Sequence, residues 1–190
     1  MFLACVMLHG PEAAGEGDNM KEEKTLLSEV ASDTYDATDR PFDFLETGGE
    51  TALICEPDPS TREKISNALT TLGYQITAPI SARDALKRMR FHVYDLVVVN
   101  ESFDTEDADN NDVLNYLNSL PMSTKRQIFV ALVSDRFRTM DNMVAFNRSV
   151  NLVINPKNTD DVGSIIKRGT TDNTAFYHVF REILREKGRI

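Results

Sequence analysis

An acidic loop between residues 102 and 111 holds the densest set of side chains that could bind a cation. Its oxygen donors, Asp104, Glu106, Asp107 and Asp109, alternate in a way that resembles calcium-binding loops. The central Gly and the final bidentate Glu of those loops are missing here. The spacing therefore favours a solvated run of charges, and we expect neither a metal site nor a cofactor.

The candidate nucleophiles and bases are too dispersed to predict catalysis. None of the three histidines, His9, His92 and His178, is spaced from a Cys or Ser as a general base is from its nucleophile. Ser134 precedes Asp135, but no strained, Gly-flanked turn surrounds it. We therefore interpret Ser134 as a hydroxyl at a strand end and expect the protein not to be an enzyme.

Charge and cysteine content narrow the classes of partner. The net charge of −9 and the pI near 4.8 disfavour nucleic acid and anionic lipid as partners. Cys5 and Cys55 are far apart, and neither lies in a set of Cys and His residues large enough for a structural zinc site, which favours a reducing, cytoplasmic setting. The apolar opening, residues 1–8, is too short to span a bilayer and has no basic leader, so we expect no membrane anchor.

The texture of the sequence changes near residue 50. Residues 1–49 are acidic and lack a sustained apolar period, which predicts a disordered leader whose start could be Met1 or Met20. From Thr51 onward, apolar runs alternate with amphipathic stretches, as in an α/β domain with a parallel sheet. We expect this domain to cover residues 50–168 and a C-terminal helix to occupy residues 169–190.

Five strands and the helices between them must position the polar side chains. The most convincing strand is the third, because its β-branched run suits a strand covered on both faces. Ser60 and Ser81 are predicted helix N-caps, and a break at Gly169 is expected between the last two helices. The predicted strands are residues 52–55, 75–78, 95–99, 128–133 and 152–154.

From residue 51 to about 168 the chain resembles the receiver domain of response regulators in two-component signalling and phosphorelays of bacteria. The similarity lies in the running order and in local sequence: ALICEPDPSTRE at 52–63, Gly73-Tyr74, SARDAL at 81–86 and YDLVVV at 94–99. The resemblance implies a flavodoxin-like, doubly wound, five-stranded α/β fold with strand order 2-1-3-4-5, to which the C-terminal helix is added. Ligands of such folds bind at the carboxyl ends of the strands.

The same resemblance assigns the reactive positions, and most of them have changed. The phosphoacceptor aspartate corresponds to Asn100, whose carboxamide is not a nucleophile that could form an acyl phosphate. The acidic pair that holds Mg²⁺ corresponds to Glu56 and Pro57, and the lysine corresponds to Asn155. Ser134 keeps the family type. The pattern indicates a degenerate receiver, or pseudo-receiver, that has lost phosphorylation.

Two carboxylates near these positions leave alternatives open. Glu101 follows Asn100 and could be a substitute acceptor or a built-in mimic of the phosphorylated state, although a solvated loop carboxylate is favoured. Asp58 could contact a cation together with Glu56, but its favoured role is to stabilise the start of the first helix. We therefore define the vestigial pocket as Glu56, Asp58, Asn100, Glu101, Ser134 and Asn155.

The last helix carries an apolar stripe that could be an interaction face. The stripe consists of Phe176, Phe180, Ile183 and Leu184, with Tyr177 beside it. It either packs on the domain or remains available to a protein partner or to a second copy of the chain. The sequence thus predicts a phosphorylation-independent signalling or scaffolding module. The alternatives are an atypical phosphoreceiver using Glu101 and a small-ligand or nucleotide-binding domain using the strand-end crevice, although no glycine-rich loop follows a strand.

Overall fold

A computed structural model describes residues 26–32 and 49–188. The strands are β1 (Thr51–Cys55), β2 (Gln75–Thr77), β3 (Leu96–Asn100), β4 (Phe129–Val133) and β5 (Leu152–Ile154). The helices are α1 (Leu26–Ser32), α2 (Pro59–Thr71), α3 (Ala82–Phe91), α4 (Asp112–Ser119), α5 (Met122–Lys125), α6 (Asn142–Asn147), α7 (Val162–Phe176) and α8 (His178–Glu186), with a 3-10 helix at Pro156–Asp161.

The five strands form one parallel sheet in the order β2-β1-β3-β4-β5. The first strand pairs with the third in a register that sets Cys55 opposite Val99, and the third pairs with the fourth with Asn100 opposite Val133. All strands therefore end at one edge, which we call the carboxyl edge. The predicted strand order is confirmed.

Alternate residues of the central strands face two separate layers of helices. On one side Leu53, Val97 and Val130 pack against α1, α3 and α4. On the other side Ile54 and Val98 pack against α2 and α7. Because both faces are covered, the strands are apolar at almost every position, as expected of a parallel sheet.

The helix α1 lies inside the stretch predicted to be a disordered leader. Val30 is buried in the core, and Leu26 and Leu27 pack against it. Arg90 of α3 donates a hydrogen bond to the carbonyl oxygen of Val30 at 2.8 Å. The prediction of disorder is therefore wrong for this segment, because three apolar residues on one helical face suffice to dock it on α3 and α4. The rest of the predicted leader lies outside the described residues.

Side-chain caps fix where the helices begin. Asp58, and not Ser60, is the N-cap of α2: its carboxylate accepts the backbone N–H of Thr61 at 2.8 Å, and Pro59 occupies the first turn. Ser81 caps α3 as predicted, since its hydroxyl accepts the N–H of Asp84. The Asp58 cap thus fixes the first turn of α2 shortly after the end of β1.

The C-terminal helices divide at a different residue from the one predicted. Gly169 is an interior residue of α7, where a Cβ would lie 3.0 Å from the ring of Phe129, so a small residue serves close helix–sheet packing. The chain turns at Tyr177 instead, and α8 follows with no buried residue. No helix among the described residues is long and apolar enough to cross a membrane.

Candidate functional site

Glu56 and Asn100 meet at the carboxyl edge of the sheet. Glu56 follows β1 and Asn100 ends β3, and the two strands are neighbours, so their last residues are brought together. The amide nitrogen of Asn100 donates to both carboxylate oxygens of Glu56, at 3.0 and 2.9 Å. The amide oxygen of Asn100 accepts the backbone N–H of Ser102. Both ends of the Asn100 amide are therefore already hydrogen-bonded.

The carboxylate of Glu56 is almost completely buried, with 1% of the residue exposed. Burial raises the pKa of Glu56 above its usual value, and the hydrogen bond from Asn100 opposes that rise. The backbone N–H of Asp58 donates to the same carboxylate, and the guanidinium of Arg62 donates to the Glu56 carbonyl oxygen. The side chain is thus held by neutral donors, with the amide of Asn100 as its main polar partner.

A second cluster forms around Glu101, one residue beyond β3. Glu101 is only 4% exposed, and its carboxylate accepts the hydroxyl of Ser134 at 2.6 Å. Arg136 donates to the other carboxylate oxygen through two nitrogens, Nε at 3.0 Å and Nη2 at 2.8 Å. The expectation of a solvated loop carboxylate is therefore wrong. The turn after β3 directs Glu101 toward the end of β4, and Arg136 supplies the charge that makes its burial tolerable.

The second cluster extends to the acidic loop through arginines. Asp109 accepts hydrogen bonds from Arg136 at 3.1 Å and from Arg148 at 2.6 Å. These bonds hold the pKa of Asp109 below its usual value, with the bond from Arg148 the larger cause. The pKa of Arg136 is raised, first by its hydrogen bonds to Glu101 and then by its bond to Asp109. Both arginines also lie over the ring of Phe137, at 5.2 and 5.6 Å from its centroid. The loop between β3 and α4 is thereby tied to the loop after β4.

Asn155 belongs neither to the Glu56–Asn100 pair nor to the second cluster around Glu101. Its amide nitrogen donates to the backbone carbonyl oxygens of Asp135 and Phe137, at 3.2 and 2.7 Å. Its amide oxygen caps the 3-10 helix by accepting the N–H of Lys157. The side chain at this position closes the loop after β4 and makes no hydrogen bond with the other residues of the predicted pocket.

The donor set at the carboxyl edge does not fit a magnesium ion. One carboxylate, Glu56, is available, and the Asn100 amide presents its nitrogen to that carboxylate. Pro57 offers no side-chain donor, and the carboxylate of Asp58 is used as a helix cap, which also lowers its pKa. Mg²⁺ prefers several oxygen ligands in near-octahedral geometry. Among the described residues, no group of three His, Cys, Asp or Glu side chains is arranged to hold a metal ion.

The residues of the predicted interaction face do not share one environment: two are exposed to solvent and two line a groove. Phe176 and Ile183 are exposed, at 79% and 50%. Phe180 and Leu184 are partly buried and line a groove between α7, α8 and the sheet, while Tyr177 packs edge-on against Phe176. The stripe therefore does not form one continuous surface.

Sequence reasoning missed two residues that organise the carboxyl edge. Arg136 had no signal except a basic residue two positions after Ser134 in an acidic chain. Asn111 is 1% exposed; its side chain donates to the carbonyl oxygens of Glu101 and Phe103 and accepts the N–H of Leu114. An Asn directly before an apolar helix is a typical N-cap, so this role could have been found.

Comparison with solved structures returns response regulators and their receiver domains. A protein of Chloroflexus aurantiacus J-10-fl assigned as a response regulator aligns with 67% of this chain and 98% of its own, at 16% identity and a TM-score of 0.51. A CheY-like receiver domain of Methylobacillus flagellatus is 27% identical over 45% of this chain and 70% of its own, with a TM-score of 0.37. The chemotaxis response regulator CheY4 of Vibrio cholerae is 13% identical over 64% of this chain and 98% of its own, with a TM-score of 0.48. No family model and no curated protein matches the sequence.

The Chloroflexus aurantiacus match and the strand order agree on the architecture. The match spans nearly the whole of that protein, and the parallel sheet here has the order 2-1-3-4-5 with helices on both faces. At this level of identity the likeness concerns the fold and not the reaction. The chain therefore has the flavodoxin-like α/β fold of response regulator receiver domains, with an additional C-terminal helix.

Proposed function

We propose that the chain is a receiver-like signalling or scaffolding module that acts through protein contacts and is not phosphorylated. The observation that carries this proposal is the hydrogen-bonded pair at the carboxyl edge, in which the Asn100 amide donates to both carboxylate oxygens of Glu56. By the sequence resemblance, Asn100 stands at the phosphoacceptor position. The resemblance implies a phosphoacceptor carboxylate and a bound cation at this point. This chain has instead the neutral amide of Asn100, which donates to Glu56.

The chemistry of the amide supports the loss of phosphoryl transfer. A carboxamide oxygen is uncharged and weakly nucleophilic, so it cannot form the acyl phosphate that a carboxylate forms. In Asn100 that oxygen also accepts the N–H of Ser102 at 2.9 Å. An attacking group would have to break this bond and would still lack the charge for the reaction.

The second cluster supports a pocket that is occupied by the protein's own side chains. Ser134 and Arg136 both donate to the buried carboxylate of Glu101, so a carboxylate stands where these donors could otherwise receive a phosphoryl group. This arrangement also disfavours a nucleotide-binding crevice, because Glu56 and Glu101 would repel the phosphates of a nucleotide. We therefore propose that the carboxyl edge is held in a single state.

The partner in this account is a protein of a signalling pathway, and we propose that the encounter takes place in the cytoplasm. A second copy of the chain is the alternative partner, since Phe176 and Ile183 are exposed apolar side chains. Sedimentation of the full chain at rising concentration distinguishes a homodimer from a monomer that binds another protein.

Intact-mass analysis after incubation with Mg²⁺ and acetyl phosphate tests the proposal. We expect no mass gain for the natural chain. The matched control restores the three lost side-chain types together, Pro57→Asp, Asn100→Asp and Asn155→Lys, and should gain a phosphoryl group if it folds, which circular dichroism checks. A phosphoryl gain on the natural chain would overturn the proposal, and its loss in Glu101→Gln would place the group on Glu101.

A further inference from the structure

A groove of about 230 Å³ lies at the edge of the sheet opposite Glu56 and Asn100. Its floor is formed by residues at the amino ends of the strands, including Tyr74, Asp95 and Phe129. Its wall is formed by α7 and α8, which contribute Phe180 and Leu184. We call it the amino-edge groove. Since β1 has five residues, the groove lies roughly 15 Å from the carboxyl edge.

Three arginines line the amino-edge groove and have no acidic partner among the described residues. Arg126 follows α5, and Arg181 and Arg185 lie one turn apart on α8. Within the described part of the chain, none of the three forms a salt bridge, whereas Arg136 and Arg148 at the other edge both do. In a chain of net charge −9, three guanidinium groups around one groove, none with an acidic partner among the described residues, form a local positive patch.

Neither of the two carboxylates that line the groove, Glu50 and Asp95, forms a salt bridge among the described residues. Asp95 accepts both the backbone N–H and the hydroxyl of Thr51, at 2.8 and 3.1 Å. Glu50 lies beside Tyr74, and burial together with this carboxylate raises the pKa of Tyr74 to about 12. Because Asp95 binds the start of β1 and Glu50 forms no salt bridge among the described residues, the arginines are left to a ligand.

The groove also offers an apolar contact beside the charges. The guanidinium of Arg126 lies 5.2 Å from the centroid of the Phe180 ring, which holds both side chains at the rim. Leu184 is the next residue of this face, one turn further along α8. A ligand that carries carboxylates and one aromatic or aliphatic side chain would match this combination of groups.

We propose that the amino-edge groove binds an acidic peptide segment of a protein partner, with an apolar side chain of that segment against Phe180 and Leu184. This deepens the proposed function by naming a partner class, and it rests on that function only in taking the partner to be a protein. Nucleic acid is the less favourable ligand, because it would place a continuous row of phosphates beside Glu50 and Asp95, whereas a peptide can bring its carboxylates to the arginines and keep neutral residues beside those two acids.

Fluorescence anisotropy with the full chain tests this site. The probe is a short labelled peptide rich in Glu that contains a single Phe, and we expect saturable binding that weakens as salt is added. Replacing the Phe of the probe by Ala should weaken binding, and replacing its Glu residues by Lys should abolish it. A labelled single-stranded oligonucleotide of equal charge should bind more weakly than the peptide.

Variants locate the binding. Arg181→Glu and Arg185→Glu should each raise the dissociation constant about tenfold or more, because a repelling charge replaces an attracting one at the contact. Lys187→Glu is the matched control, since it makes the same charge change at the C-cap of α8, outside the groove lining, and should change binding less than about twofold. Phe180→Ala tests the apolar contact. Thermal unfolding confirms that each variant is folded.

Several outcomes would overturn the proposal. They are no peptide binding by the folded natural chain, equal losses in Lys187→Glu and Arg185→Glu, or tighter binding of the oligonucleotide than of the peptide. The proposed function fails separately, through a phosphoryl gain in the mass experiment, so that the two results remain distinguishable.

Discussion

The carboxyl edge and the amino edge of the sheet differ in whether their charged side chains are paired within the described residues. At the carboxyl edge, Glu56 and Glu101 are buried, and each is matched by donors within 3.1 Å. At the amino edge, Arg181 and Arg185 point to a groove without an acidic partner among the described residues. The first arrangement costs stability when any member is removed. The second costs little, because its charges keep their hydration.

Because of this difference, we expect the carboxyl edge to contribute to folding stability and the amino edge to contribute to binding. By the sequence resemblance, a phosphoreceiver has an acceptor aspartate and an acidic pair that holds Mg²⁺ at this edge, whereas here the polar side chains of that edge hydrogen-bond within the chain. We therefore expect changes at the carboxyl edge to act mainly on the free energy of unfolding. Changes at the amino edge should act mainly on a partner.

Asn100→Asp should have the largest effect. It sets a carboxylate against the buried carboxylate of Glu56 and removes the donated hydrogen bonds, so we expect a loss of about 3 kcal/mol at neutral pH. Chemical denaturation measures this loss. Asn110→Asp, the same substitution at an exposed loop residue, is the matched control and should be nearly neutral. Equal stability of both variants would show that the Glu56–Asn100 pair does not matter for folding.

Glu101→Ala should have the next largest effect on the free energy of unfolding. It removes the acceptor of Ser134 and Arg136 and leaves a small buried void, for which we expect a loss of about 2 to 3 kcal/mol. Urea unfolding compared with Glu106→Ala, an exposed carboxylate of the same loop region, isolates the effect of burial. If Glu101→Ala costs no more than Glu106→Ala, the second cluster is not a stabilising unit.

Arg136→Lys should cost about 1 kcal/mol, because one ammonium group cannot make both hydrogen bonds to Glu101 and also reach Asp109. The side chain is 39% exposed, which limits the effect through solvent screening. Thermal unfolding of Arg138→Lys, an exposed arginine two residues along, provides the control. A loss that disappears in Glu101→Gln would confirm that the two side chains act together.

Glu56→Gln should change the dependence of stability on pH. The raised pKa of Glu56 means that the folded state holds its proton more tightly than the unfolded state. Its contribution is fully present below the ordinary value of 4.5 and is lost as pH rises through the raised value. Glutamine does not titrate, so the stability of the variant should not show the decline between acid and neutral pH that Glu56 causes in the natural chain. Denaturation curves recorded from acid to neutral pH measure it, and an unchanged slope would contradict the assigned shift.

Arg185→Glu should have the smallest effect on folding, within about 0.5 kcal/mol of the natural chain. The side chain makes no ion pair among the described residues, so its reversal breaks none. The same change at Arg136 should cost clearly more, because it would remove the cation that pairs with the buried Glu101 and set a repelling charge beside it. Parallel unfolding experiments on the two variants compare the edges directly, and similar losses would remove the contrast between them.

The fold could be predicted because its signals are local. The apolar runs that became β1, β3 and β4 are strands covered on both faces, and such strands need no partner to be recognised. Ser81 was recognisable as a cap for the same reason. The helix α1 was missed because three apolar residues in an acidic stretch carry too little period to outweigh the composition.

The site was only partly predictable, since its hydrogen bonds join distant residues. The positions Glu56, Asn100 and Ser134 followed from the resemblance, and the structure brings the first two into contact. The direction of Glu101 depends on where β3 ends, and a difference of one residue reverses the face to which a side chain points. Arg136 is joined to Glu101 across 35 positions of the sequence, which no local pattern reveals.

Thermal unfolding with and without Mg²⁺, for the natural chain and for Asn100→Asp, tests most directly the claim that the Asn100 amide takes the place of a cation. We predict that Mg²⁺ leaves the melting temperature of the natural chain unchanged and raises that of Asn100→Asp, because two facing carboxylates gain from a shared cation. A natural chain stabilised by Mg²⁺ as strongly as the variant would contradict the account, since Glu56 would then bind a cation despite its hydrogen bonds to Asn100.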